Sequence, residues 1–150
     1  MNSPLEISSY FFPLVSVTAD PHYNPDKAQT EPEYKIRSSV EHDEKNGLYQ
    51  VAVEITLEPE SEDKRLPYSI KMIGIGLFRV ATDWPEPEKL LAINGASIIY
   101  SAAREFLITI TSRGPWGQIF LPAHSFIYND AEKTSENIKP EKSVPKKTKK

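Results

Sequence analysis

From Tyr49 to Leu57 the sequence alternates without a break. Tyr49, Val51, Val53, Ile55 and Leu57 share one parity, and Gln50, Ala52, Glu54 and Thr56 share the other. Successive side chains of a strand point to opposite faces, so only a half-buried β-strand uses that period. Just before it, Asp43–Gly47 contains Asn46-Gly47, the strongest short hairpin signal. On the other side of that turn, Tyr34–His42 alternates as well, with Tyr34, Ile36, Ser38 and Val40 against Lys35, Arg37, Ser39 and Glu41. An antiparallel pair is therefore expected at the centre of the chain.

Two further strands flank this pair. Leu5–Thr18 is apolar on both parities in its middle, and Pro13 places it at a sheet edge, because proline cannot donate to a ladder. Pro67–Ala81 carries Ile70, Met72, Phe78 and Val80 on one parity and Ile73, Ile75 and Leu77 on the other. Gly74 and Gly76 in this strand allow a bulge or the close approach of another backbone. A strand greasy on both faces needs two covers, one of which can be the chain's own helix. The Pro-rich stretch from Asp20 to Glu33 is too long for a hairpin and predicts a crossover.

After the strands the periodicity changes. A short helix is expected from near Pro85 with Gly95 as its stop, then a longer one from Ser97 to Ser112. Ile99, Ala103, Phe106, Leu107 and Ile110 recur at helical spacing, while Ile98, Ala102 and Thr109 form a second, flatter apolar face. Arg113-Gly114-Pro115 supplies a cation, a flexible cap and a breaker. Trp116–Phe126 reads as extended, and from Asn129 onward apolar residues almost vanish. The organisation expected is one α+β domain over residues 1–128 and a disordered basic tail over 129–150.

Charge and composition narrow the function classes. Residues 139–150 hold six lysines and one glutamate, whereas the preceding residues carry twelve basic and twenty acidic side chains. No aromatics interleave with those lysines, so nucleic-acid binding is disfavoured. There are no cysteines and no apolar run long enough to span a membrane, and the amino terminus does not look like a signal peptide, so the expected location is the cytoplasm. His22, His42 and His124 are scattered without metal-ligand spacing, and His124-Ser125 has no nucleophile elbow around it. Gly74-Ile75-Gly76 lacks the rest of a phosphate-binding loop, and Glu54 with Glu58 is explained by a solvated strand face. No catalytic residue, metal site or cofactor is assigned. What is left is a surplus of aromatic and aliphatic surface suited to binding other chains.

From the helix onward the residues resemble the SecB export-chaperone family. Ile98–Gly114 (IIYSAAREFLITITSRG) is similar to that family's helix with its Tyr-Ala-Arg-Glu core and Arg-Gly stop, carried here by Tyr100, Ala103, Arg104, Glu105, Arg113 and Gly114. Gln118–Phe126 (QIFLPAHSF) resembles the family's next segment. Ile7, Val15-Ser16-Val17, Pro32–Ile36 and Gly76-Leu77-Phe78 resemble its strands, so the likeness spans about residues 5–127. It implies a four-stranded antiparallel sheet with a long helix packed on one face, assembled as a dimer or tetramer. It also implies a holdase for unfolded or partly folded polypeptides, with clients in grooves lined by Tyr34, Ile36, Phe126, Ile127 and Tyr128. An oligomer interface is expected at Pro13, Ile98, Ala102, Phe106 and Thr109.

Three departures shape the expected role. Asn129–Ser143 is polar where the family has a second amphipathic helix, and Thr30 or a neighbour stands where it has a tryptophan. Lys71 occupies the place of the acid that docks the SecA motor, a reversed charge that weighs against hand-off to SecA. A restricted client range, such as a toxin–antitoxin pair, fits these departures better than bulk export. The alternative is a structural or assembly module that binds one fixed protein partner.

Overall fold

A computed structural model describes residues 2–27 and 31–128, and the alternating run at its centre is the third of four strands. These are β1 (Leu5–Ala19), β2 (Lys35–Asp43), β3 (Leu48–Leu57) and β4 (Tyr68–Val80). All neighbours pair antiparallel in the order β1-β4-β3-β2. β2 and β3 form the hairpin that Asn46-Gly47 predicts, with Gly47 at φ +64 where a side chain would be strained. The tail over 129–150 and Thr30 lie outside the described residues.

Pro13 does sit on an edge strand, at the point where the β1 register slips. Phe11 pairs with Ile75 and Leu14 with Ile73, so Phe12 and Pro13 together face Gly74 alone. That two-against-one count is a β-bulge. A second slip, between Ile7 and Ser9, breaks the same edge again.

One sheet face carries Val51, Val53, Ile55 and Leu57 of β3 with Ile70, Met72 and Phe78 of β4, all of them 2% exposed or less. The helix packs there. An opening turn α1 (Pro87–Leu90), a π-helical turn (Leu91–Gly95) and α2 (Ala96–Thr111) follow without interruption, making one helix of 25 residues. The expected stop at Gly95 is therefore corrected. Gly95 has helical dihedrals, and its missing side chain serves packing: a Cβ there would lie 3.2 Å from Val51 Cγ2. Gly74 and Gly76 admit the helix in the same way, since their Cβ atoms would meet Ile99 at 2.8 and 2.5 Å. Ile99, Ala103 and Leu107 are the buried stripe, whereas Phe106 is displaced to the side and stacks on Phe12, ring centroids 5.2 Å apart. Among the described residues no helix is long and apolar enough to cross a membrane.

Beyond the helix, Trp116–Tyr128 has no regular secondary structure, yet it is tied to the core by side chains. The Tyr68 hydroxyl donates to the Gly117 carbonyl (2.9 Å) and accepts from the Trp116 N–H (3.1 Å). Thr111 Oγ1, buried at the helix end, accepts from the Ile119 N–H at 2.9 Å. The Tyr100 hydroxyl donates to the Pro122 carbonyl. Trp116 Nε1 donates to the Asp20 carbonyl (2.9 Å), and Asp20 also accepts from the His22 N–H and from Arg65, which together hold its carboxyl below the usual range. Leu121, 1% exposed, adds an apolar anchor.

Candidate functional site

The tethered segment runs beside the free edge of β2, and between them lies an open groove of about 830 Å³. β2 contributes Ile36, Arg37, Ser38 and Ser39 to it. Arg37 is in register with Glu54, and Glu54 with Ile73, while Ser39 is in register with Ala52. In-register residues share a sheet face, so these five form a floor on the side away from the helix. Ile36 has the opposite parity and pairs with Ile55 of the core face. The groove thus wraps around the edge strand and touches both of its faces.

The opposite wall is the run from His124 to Ile127. Phe126 is 9% exposed and packs edge-on to Tyr100 and His124, with ring centroids 5.7 and 4.6 Å away. Ile127, its neighbour, is 79% exposed. One residue anchors the wall while the next is free to meet a ligand.

Of the five residues expected to line a client groove, Ile36, Phe126 and Ile127 are brought together here. Tyr34 is half-buried against the core, and burial raises its phenol above the ordinary value, as it does for Tyr100, where Arg104 partly opposes the shift. Tyr34 and the half-buried Tyr128 do not line this groove. Sequence reasoning missed the floor. Arg37, Ala52, Glu54 and Ile73 have no common signal along the chain and meet only through strand register.

A second surface is apolar and open. Ile98 is 42% exposed and Phe106 38%, and with half-buried Ala102 and exposed Thr109 they follow one line along α2. Phe106 stacks on Phe12, which precedes the exposed Pro13 on β1, and Tyr10, 55% exposed and edge-on to Phe12, extends the patch, whereas Phe11 faces the other side of the sheet in register with Ile75. A smaller cleft of about 270 Å³ near the start of β2 is rich in glutamates. There Glu60 bonds Lys64 at 2.9 Å, which holds the Glu60 carboxyl below its usual range. Among the described residues no group of three or more His, Asp or Glu side chains is placed to hold a metal ion.

Comparison with solved structures decides the fold. The chain superposes with a TM-score of 0.66 on the SecB-like chaperone of Mycobacterium tuberculosis, solved in complex with a ChAD peptide from the HigA1 antitoxin; the match covers 83% of this chain and 94% of that one at 15% identity. The fold is SecB-like. A protein of unknown function from Streptococcus agalactiae matches with a TM-score of 0.44 and 8% identity over 79% of this chain and 97% of that one. No protein-family model and no curated protein sequence matches the chain. At such low identity what is shared is the frame, a four-stranded antiparallel sheet with one long helix.

Proposed function

We propose that the protein is a non-catalytic SecB-like chaperone, a holdase that takes extended segments of unfolded or partly folded polypeptides into the groove beside β2. The observation that carries this reading is the joining of Ile36, Phe126 and Ile127 around one open groove with an apolar and polar floor. Its size suits the purpose, because ligand sites of this order of volume, roughly 300–1,000 Å³, hold several side chains. The SecB-like chaperone of the same fold was solved with a peptide of an antitoxin bound, which supports polypeptide clients and makes a toxin–antitoxin pair a natural candidate. Tyr34 and Tyr128, which do not line the groove, would contact clients beyond it. The chain acts as a cytoplasmic homo-oligomer, dimer or tetramer, joined through Pro13, Ile98, Ala102, Phe106 and Thr109. Lys71 is exposed on β4 and presents a positive charge, so SecA is not the expected recipient.

The test is suppression of aggregation for several unrelated proteins diluted from denaturant, followed by light scattering. Sub-stoichiometric or equimolar protection of more than one of them is expected, and it should weaken in an Ile127→Asp variant, whose fold is untouched because Ile127 is almost fully exposed. If none is held soluble and a single native protein binds at fixed stoichiometry, the chain is an assembly module for one partner.

A further inference from the structure

The helix packs on one face of the sheet, and among the described residues no helix or strand packs over the other. On that other face, strand register sets Phe11 and Leu14 of β1 beside Ile75 and Ile73 of β4, with Leu77 and Ala52 next to them. Phe11 is 46% exposed, and the other five are half-buried. Charge divides the same face into two ends. Lys35, Arg37 and Lys71 lie towards one end, opposed within the strands by Glu54 alone. Glu6, Glu41 and Asp43 lie towards the other, opposed by Arg79 alone. Among the described residues no ion pair engages Arg37, Lys71, Glu6 or Glu41.

We propose that this face receives a second copy of the chain, laid over it with its strands running the opposite way. A two-fold axis at Ile75, in the plane of the contact and across the strands, produces that arrangement. Ile75 then meets Ile75, Ile73 meets Leu77, and the basic end of each copy lies on the acidic end of the other. Arg37 faces Glu41 twice, once in each direction, as an isologous contact requires. Packed sheets turn by about 30° relative to one another, an offset that arginine and glutamate side chains span. A foreign partner of one sign would suit one end and be repelled at the other, whereas a second copy suits both. Four strands about 4.8 Å apart and about 30 Å long offer roughly 600 Å² per copy, or about 1,200 Å² in all. That is the lower limit of a stable specific interface, so the pairing is reversible.

The pairing bears on the groove, whose floor of Arg37, Ser39, Ala52, Glu54 and Ile73 belongs to this face. A paired copy covers that floor, so self-pairing and client binding exclude each other. The client-free chain thereby shields its own apolar surface. This last step rests on the groove's being the client site; the self-pairing does not.

The test uses the full chain carrying Ile98→Glu, which takes the open helix face out of assembly, and reads mass by light scattering up to hundreds of micromolar. Mass should rise with concentration towards a dimer. Glu41→Arg alone, or Arg37→Glu alone, sets like charge on like and should weaken the dimer about tenfold. An equimolar mixture of the two should restore it, because arginines at both positions of one chain meet glutamates at both positions of the other. A merely damaged fold would not be rescued by mixing. If neither change lowers the mass, or if the mixture stays as small as its parts, the self-pairing is overturned. The client step is read by energy transfer between chains labelled at the amino terminus with donor or acceptor, on adding a reduced, carboxymethylated polypeptide that cannot refold. Transfer should be lost. Transfer that persists at saturating polypeptide leaves the self-pairing in place and removes the groove floor as the client site.

Discussion

Removing one oxygen atom tests whether the irregular wall of the groove is held by the core. Tyr68→Phe keeps the ring, which is 2% exposed, and deletes the hydroxyl that bonds Gly117 and Trp116 at 2.9 and 3.1 Å. No cavity larger than the hydroxyl itself is opened. The loss comes from two backbone groups deprived of a partner, each worth about 1 kcal/mol net and more where water cannot reach. Gly117 is exposed and Trp116 half-exposed, so water replaces part of the loss and the total is about 2 kcal/mol. For a domain of this size about 4 °C of melting temperature accompanies each kcal/mol, giving a fall of roughly 8 °C. Thermal unfolding followed by circular dichroism and by tryptophan emission reads it, with Trp116 reporting locally. The Trp116 amide should also exchange with solvent faster than in the parent. Tyr10→Phe, at a ring 55% exposed, is the control and should shift the midpoint by about 1 °C or less. Should Tyr68→Phe melt no lower than Tyr10→Phe, the wall owes nothing to that hydroxyl and the tethering argument is wrong.

The other expectations concern packing, assembly and pH. Gly76→Ala puts a Cβ 2.5 Å from both Ile99 Cδ1 and Phe78 Cε2, two buried atoms, so a chemical-denaturation curve should show a loss of about 1–3 kcal/mol, partly recovered by Ile99→Val. Ile98→Glu places a charge on the open face of α2 without touching the core; light scattering at tens of micromolar should show a smaller assembly than the parent's, and an unchanged mass would place the interface elsewhere. Tyr34 and Tyr100 have phenols raised above the ordinary 10.0 by burial. The fold therefore holds protons that the unfolded chain releases first, and the stability they contribute is intact below pH 10 and declines as pH rises through the folded values. Urea midpoints measured across that range should fall, and Tyr34→Phe should flatten the alkaline limb.

Much of the fold was legible because one face of each element is buried. The alternation of Tyr49–Leu57 gave a strand whose odd residues are indeed the core, and Asn46-Gly47 marked the hairpin. Pro13 marked an edge for a physical reason, its missing N–H, and the second face of β4, with Ile73, Ile75 and Leu77, is only half-buried. Gly95 misled because glycine serves two purposes. It ends helices where a left-handed residue is needed, and it permits close approach where a side chain would collide; here Val51 is the neighbour that decides. The tethers of residues 116–122 were invisible because each joins a side chain to a backbone group 8 to 96 positions away. Nothing in local composition encodes such a bond.

The groove was only half legible, and the reason lies in what an open surface is made of. Core residues are selected for burial, so their spacing shows the period of the element that buries them. The surface beside β2 is open to solvent and only partly apolar. Its floor is accordingly mixed: Arg37 and Glu54 beside Ala52 and Ile73, each residue unremarkable in its own strand. Ile36, Phe126 and Ile127 were foreseen only through the resemblance to the SecB family, and the first two also touch the core. The division of labour between neighbours is clearest at the wall, where Phe126 is buried and fixes the backbone so that Ile127 can stay exposed. A surface built this way gains its order from the residues behind it.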